Sequence, residues 1–295
     1  MKISAETLYL RKYLGDRETI RVLAEAGFDC IDYTMDHMTE EDSPLNAPDY
    51  REYAAGLLSY AKELGVTFHQ AHAPFEFEWE KENVLENIAV PRIIRCLEIA
   101  SVMGIDTVIV HPLHHLVYIY NQEQIWDMNM KFYRTLLPYA EKYKVKLALE
   151  NMFQFNKRMS PMPDAFSDAG RFVRFLDELD SPYAVACVDV GHACMLGEEP
   201  AKLIRALGHD RLKALHIHDN DAVLDRHTLP YLGKIDWNQT MKALAEIDYD
   251  GVFTFEAFLF YANFEPDFFP TAARWIHDMG VYLCEKIERF KSRKD

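Results

Sequence analysis

The chain has 295 residues, 49% of them hydrophobic, enough for a sizeable core in one large domain or two ordinary ones. A formal net charge of -15 excludes broad non-specific contact with nucleic acid unless a local basic cluster or bound cations reverse the field. Five cysteines (Cys30, Cys96, Cys187, Cys194 and Cys284), widely spaced and without a CxxC pair, suggest neither a disulfide framework nor a cysteine zinc site.

The amino terminus lacks an apolar leader core, and no uncharged apolar run reaches the ~18 residues that a membrane span needs. A soluble protein in the reducing cytoplasm is expected, with no membrane partner. Eight strand candidates then follow in order: Lys2 to Leu8, Phe28 to Thr34, Thr67 to Ala73, Thr107 to His111, Lys146 to Asn151, Tyr183 to Val190, Leu212 to His218 and Val252 to Phe258. Amphipathic stretches separate them: Glu18 to Ala26, Asp49 to Leu64, Glu82 to Met103, Gln122 to Tyr143, Asp168 to Leu179, Pro200 to Leu207, Trp237 to Ile247 and Thr271 to Phe290. In the third, Leu85, Ile88, Ala89, Ile93, Leu97 and Ala100 recur at spacings of three and four, as one buried helical face requires. Gly27, Gly65 and Gly104 each stand between a helical stretch and the next strand, the position of a left-handed helix stop.

This alternation predicts an α/β fold, a (β/α)8 TIM barrel occupying residues 1–295 as a single domain, with strands over about 2–258 and a carboxyl-terminal helix at about 271–290. An open doubly wound sheet is the alternative; it calls for a phosphate-binding glycine-rich turn after an early strand, and the sequence has none. Barrel side chains at the carboxyl ends of strands converge on one face, where such folds place their chemistry. Strand three ends at His69-Gln-Ala-His72, strand four at His111, strand five at Glu150-Asn151 and strand six at Asp189-Val-Gly-His192, with Gly191 read as a turn. Strand seven runs His216-Ile-His218-Asp219-Asn220, with Asp225-Arg-His227 in the loop beyond, and strand eight ends at Glu256. A lone histidine or acid at a strand end is more often structural. Several carboxylates converging on one narrow mouth are costly to ionise unless cations hold them, and mixed carboxylate and imidazole ligands suit zinc or manganese, with cobalt or iron as alternatives.

Glu150, Asp189, His216 and Glu256 form the expected metal set, with Glu150 and Glu256 on either side of a substrate as an acid–base pair for proton transfer next to a carbonyl. The motifs Leu149-Glu150-Asn151, Asp189-Val-Gly-His192, His216-Ile-His-Asp-Asn and Asp225-Arg-His227-Thr-Leu-Pro-Tyr-Leu-Gly-Lys-Ile-Asp236-Trp237 closely resemble the xylose-isomerase-like TIM-barrel superfamily of sugar-phosphate isomerases and epimerases. His72-Ala-Pro74 and Val110-His111-Pro112 fit the same resemblance, which covers nearly the whole chain. It implies that Glu150, Asp189, His216 and Glu256 bind one divalent metal, that the two glutamates are the catalytic pair, and that His192 touches substrate. His72 and His218 are further candidates for substrate contact.

The same superfamily contains endonuclease IV, which cleaves abasic DNA with three zinc ions, and His72, His111, His192, Asp225 and His227 stand where its additional ligands would. Against a DNA substrate, Met152-Phe-Gln-Phe replaces the small residues of that enzyme, and Arg226 is the sole basic residue beside the proposed ligands. The expected activity is therefore isomerisation or epimerisation of a sugar, sugar phosphate or keto-polyol through an enediolate. A lyase or dehydratase acting on an oxo-sugar shares the first step. A catalytically silent scaffold is disfavoured by the intact acid pair.

Aromatic residues cluster after the strands: Phe75, Phe77, Trp79, Tyr118, Tyr120, Trp126, Phe153, Phe155, Phe258, Phe260 and Tyr261. They suit a sugar ring, although each one is individually more consistent with packing. The apolar tract Phe258 to Phe269 is read as a subunit contact of a homo-oligomer rather than a lid. The charged runs Glu80 to Glu86, Asp177 to Asp180 and Lys291 to Lys294 are read as solvated surface.

Overall fold

A computed structural model describes residues 1–75, 77–79 and 82–292; Glu80 and the tail residues Arg293 and Lys294 lie outside the described residues. Eight parallel strands are β1 (Ile3–Glu6), β2 (Cys30–Thr34), β3 (Thr67–His72), β4 (Thr107–Val110), β5 (Lys146–Glu150), β8 (Ala184–Asp189), β9 (Leu212–His216) and β10 (Phe253–Phe255). The remaining two, β6 (Phe153–Phe155) and β7 (Pro161–Pro163), form a separate antiparallel hairpin after β5. Neighbours in the large sheet run β10-β1-β2-β3-β4-β5-β8-β9, and a parallel bridge between Ile217 and Phe255 closes the ring. The fold is a TIM barrel in a single domain.

Strand periodicity decides which side chains reach the mouth. Ala148, Cys187, Ala214 and Ile109 belong to a small apolar cluster inside the barrel, whereas Leu149, Val188, Leu215 and Val110 join the large core between strands and helices. Two residues on from those interior positions come Glu150, Asp189, His216 and His111, which therefore point up the barrel axis at its carboxyl end. Thr254 precedes Glu256, and Gln70 precedes His72, with the same spacing. The other half of the interior is polar, carrying Ser4, Asp32, Gln70 and Thr254, all buried.

The ring of helices follows the amphipathic stretches: α2 (Asp16–Ala26), α3 (Tyr50–Glu63), α4 (Val90–Met103), α5 (Tyr118–Tyr143), α6 (Ala169–Leu179), α8 (Pro200–Arg211), α9 (Trp237–Glu246) and α10 (Phe269–Lys291). Gly27 and Gly104 stop α2 and α4 in the left-handed region, at φ 104° and 69°. Two short helices were not legible in the sequence, α1 (Leu8–Leu14) and α7 (Val190–Met195). The second corrects the reading of Gly191 as a turn: Asp189 caps α7 by accepting from the His192 amide at 2.7 Å, and Gly191 lies within the helix. Among the described residues no helix is long and apolar enough to cross a membrane.

Helix α10 rests on β1 and β10 through Gly280, where a Cβ would come within 2.8 Å of both Ile3 Cγ2 and Phe255 Cε2. Gly280→Val is expected to cost about 1–3 kcal/mol through overpacking. Gly56→Ala, at an exposed α3 position with nothing within 4 Å of the added carbon, is expected to gain roughly 0.5–1 kcal/mol. Denaturant melts of the two variants measure both effects.

Candidate active site

The barrel mouth gathers ten acidic and imidazole side chains into five overlapping groups, among them a central one and its two flanks. In the central group, one atom each from Glu150, Asp189, His216 and Glu256 lies within 4.8 Å of the others. His216 Nδ1 stands 3.1 Å from Glu150 Oε1, 3.4 Å from Glu256 Oε2 and 3.8 Å from Asp189 Oδ2. Sheet register produces this, since Asp189 pairs directly with His216 on the adjacent strand. Glu150, Asp189 and His216 are almost wholly buried, and the Glu256 side chain is 12% exposed.

On one side, His72, His111 and Glu150 form a triangle: the two Nε2 atoms are 3.1 Å apart, and Glu150 Oε2 is 3.0 Å from His111 and 3.8 Å from His72. Each imidazole is oriented from outside, His72 by its Nδ1 on the Ala73 carbonyl and His111 by Phe75, stacked on it at 4.3 Å. On the other side, Asp225 Oδ2 lies 2.8 Å from His227 Nε2 and 3.5 Å from His192 Nε2. His192 Nδ1 donates to the Asn151 carbonyl and His227 Nδ1 to the Glu256 carbonyl, both at 2.9 Å, so both rings turn Nε2 towards Asp225.

The electrostatics are those of an anionic cluster seeking positive charge. Burial alone would raise the Glu150 carboxyl, but His216 and His111 hold it well below the ordinary range. Burial likewise opposes His192 and His218 at Asp189, which is held at about 2. Glu256 is driven well above the ordinary range by burial and then by Glu150 and Asp189. Glu150 Oε2 and Glu256 Oε2 have no aligned hydrogen-bond partner despite being buried. Orphaned carboxylate oxygens opposite an imidazole nitrogen are a donor set that a divalent cation satisfies, so the residues fit the expected metal. The outer groups fit further cations by the same chemistry.

His218, read as a substrate contact, is completely buried, with Nε2 3.0 Å from both oxygens of Asp189. It holds Asp189 from there and also comes within 4.8 Å of His227 and Glu256 as a candidate ligand. Its ring occupies the space a side chain at Gly191 would need, 1.9 Å from an added Cβ. His227 stacks on it at 3.9 Å, and Phe258 stacks on His227 at 4.3 Å. His69 leaves the mouth altogether and pairs weakly with Asp106 at 3.8 Å. Cys194 belongs to none of the ligand groups, and burial pushes its thiol up to about 11. Of the aromatics, Phe75, Phe153 and Phe258 border the histidines, whereas Trp126 packs against Phe175 beneath two arginines. Within the tract read as a subunit contact, Phe260, Tyr261 and Phe269 are buried in the chain itself.

Three features escaped the sequence reading. Asp219, fully buried, accepts from the amides of Asn220, Tyr231 and Ile235 and from the Trp237 indole at 2.8–3.2 Å, latching the loop that carries Asp225 and His227. Asp164, also fully buried, holds His114 at 2.9 Å, with the His114 ring 6.4 Å from that of His111. Glu6, at the end of β1, is pushed up to about 8 by burial. The run His216-Ile-His-Asp-Asn held the signal for Asp219; nothing local in sequence joins His114 to Asp164.

An eight-stranded barrel with a buried acid–imidazole cluster at its carboxyl end defines the class: a TIM barrel whose mouth carries groups that could hold a metal ion. The chain belongs to the xylose isomerase-like TIM barrel family, whose profile matches residues 20–280. It is 26% identical over 178 residues to the fructoselysine 3-epimerase of Escherichia coli O157:H7, covering 60% of this chain and 57% of that one, so it spans little more than half of that relative's length. Among solved structures, a D-tagatose 3-epimerase-like protein superposes with a TM-score of 0.76 at 22% identity over 100% of both chains. The IOLI protein with a binding zinc atom gives a TM-score of 0.74 at 18% identity over 97% of this chain and 99% of that one.

Two outcomes follow from the site. Asp219→Ala strands four donors and is expected to cost about 2–4 kcal/mol while making the 219–236 loop sensitive to limited proteolysis, read by mass mapping of the first cuts. In the metal-free protein, Glu6 rises from 4.5 to about 8, so its contribution is full below 4.5 and vanishes as pH climbs through 8. Burial opposes a raised His72, yet Glu150 and Asp32 carry it from 6.5 to about 9, so its contribution is also lost on going up through 9. Melting temperature after chelation should therefore fall between pH 6.5 and 9; a flat or rising profile contradicts both assignments.

Proposed function

We propose that this protein is a divalent-metal-dependent sugar epimerase or isomerase acting on a keto sugar or a close derivative. The observation that carries the reading is the central group, in which two buried glutamates with unpartnered oxygens flank Asp189 and His216. A bound divalent ion supplies Lewis-acid polarisation of the substrate's carbonyl and hydroxyl oxygens. The residues do the rest. Glu150 and Glu256 would flank the sugar, one removing the proton from the carbon next to the carbonyl and the other returning a proton to it or to the oxygen. The environments of the two differ in the way such a pair requires, with imidazoles favouring charged Glu150 and burial beside other acids favouring protonated Glu256. His192, held by the Asn151 carbonyl, would hold a substrate hydroxyl, and His72, at the end of β3, is the second candidate for a substrate contact. Phe75, Phe153 and Phe258 offer the rim apolar faces for a sugar ring.

A second reading rests on a specific observation too. The groups His72–His111–Glu150 and His192–Asp225–His227 are assembled as completely as the central one, as a multi-zinc phosphodiesterase acting on abasic DNA would require. The charge of the chain and the engagement of Arg226 with Asp221 at 3.0 Å weigh against a polyanionic substrate.

Glu150→Gln and Glu256→Gln are each expected to abolish exchange of substrate protons with heavy water across a panel of ketoses while leaving the melting curve intact. Exchange retained in both variants would remove the acid–base pair from the mechanism. Elemental analysis separates the two readings. About one divalent ion per chain, unaffected by Asp225→Ala, supports the epimerase; two or three zinc ions that decrease in Asp225→Ala, with nicking of an abasic duplex, support the nuclease.

A further inference from the structure

We infer that Asp32, on β2 beneath the mouth, is a positioning residue that fixes His216 for metal coordination through its far nitrogen. The inference rests on the proposed metal reading of the central group and extends it to a residue outside that group. His216 turns Nδ1 towards Glu150, Glu256 and Asp189, so its Nε2 points down the barrel axis. There Nε2 has no hydrogen-bond partner, and the nearest carboxylate oxygen is Asp32 Oδ2 at 3.8 Å. Both residues are completely buried, so this attraction is unscreened by solvent even though it is longer than a hydrogen bond.

The tautomer gives the contact its significance. An imidazole that offers the Nδ1 lone pair to a cation must keep its proton on Nε2, and a carboxylate facing Nε2 stabilises that form while raising the basicity of the ligating nitrogen. Asp32 is itself held in place. Gln70 Nε2 donates to Asp32 Oδ2 at 2.7 Å, and Thr254 Oγ1 donates to Gln70 Oε1 at 3.4 Å, which fixes the amide orientation. A polar chain thus crosses the barrel interior from β10 through β3 and β2 to β9, in the half of the interior that the apolar cluster leaves free. Ser4 and Asp32 each keep one unpartnered oxygen there, an arrangement that a purely structural interior would replace with methyl groups.

The test uses the full chain, zinc ion as the probe, and competition against a chromophoric chelator. Asp32→Asn is expected to weaken zinc binding by roughly 10- to 100-fold, while the melting temperature of the metal-free variant stays level or rises because a buried carboxylate has been removed. Unchanged zinc affinity overturns the inference, as does a loss of affinity matched by a fall in metal-free melting temperature. The wild-type protein provides an independent readout if the variant does not fold. Nitrogen-15 histidine spectra of the zinc-loaded chain should show the His216 Nε2 proton shifted downfield and protected from exchange, and an ordinary, rapidly exchanging proton overturns the inference. Wild-type protein that binds no zinc at all overturns the metal reading and this inference together; zinc binding with an unshifted Nε2 proton overturns this inference alone.

Discussion

Crowding of carboxylates in a buried barrel mouth is the constraint around which the rest of this molecule is arranged. Glu150, Asp189 and Glu256 approach one another around a single imidazole nitrogen, in a place where charge is poorly solvated. The histidines answer that cost. His111 and His216 face Glu150, His218 and His192 face Asp189, and His227 faces Asp225, so that each acid but Glu256 is held ionised by a neighbouring ring. Glu256, although His216 and His227 each bring Nδ1 to 3.4 Å from its Oε2, is the acid in which burial and the neighbouring carboxylates prevail.

The backbone serves this arrangement economically. Parallel strands with a two-residue repeat place Glu150, Asp189, His216 and His111 one step beyond interior positions, and the register sets Asp189 beside His216 without any special turn. Helix α7 begins on Asp189 itself, so a single carboxylate caps a helix, receives His218 and completes the central group. Such triple use ties the local fold to the site. It also explains why Gly191 must lack a side chain, for the ring that orients Asp189 fills the space.

The barrel and its mouth were largely legible from sequence because both are written in local patterns. Eight apolar runs with acids or histidines at their ends announce strands and their carboxyl termini, and the structure places those runs within a few residues of their expected bounds. Contacts that depend on ring closure were not legible. Asp32 lies inside a strand read only as apolar, and its relation to His216 spans most of the chain. His114 meets Asp164 across the hairpin β6–β7, whose strands of three residues are too short to carry a periodic signal. His218's engagement with Asp189 likewise depends on the packing of β9 against its neighbours and was not legible from sequence.

The two kinds of scaffold at the mouth differ in stiffness. Glu150, Asp189 and His216 end strands of the barrel and are paired in its register, whereas Asp225 and His227 hang from a loop whose shape depends on the four donors gathered by Asp219. Local openings of a protein draw on its least stable segments first. Any cation taken up by the strand-built group would leave only as the barrel itself yields, while one taken up by the loop would go whenever that single latch opens. The mouth would then have a slow compartment and a fast one, with residence time graded by the element that supplies the ligands.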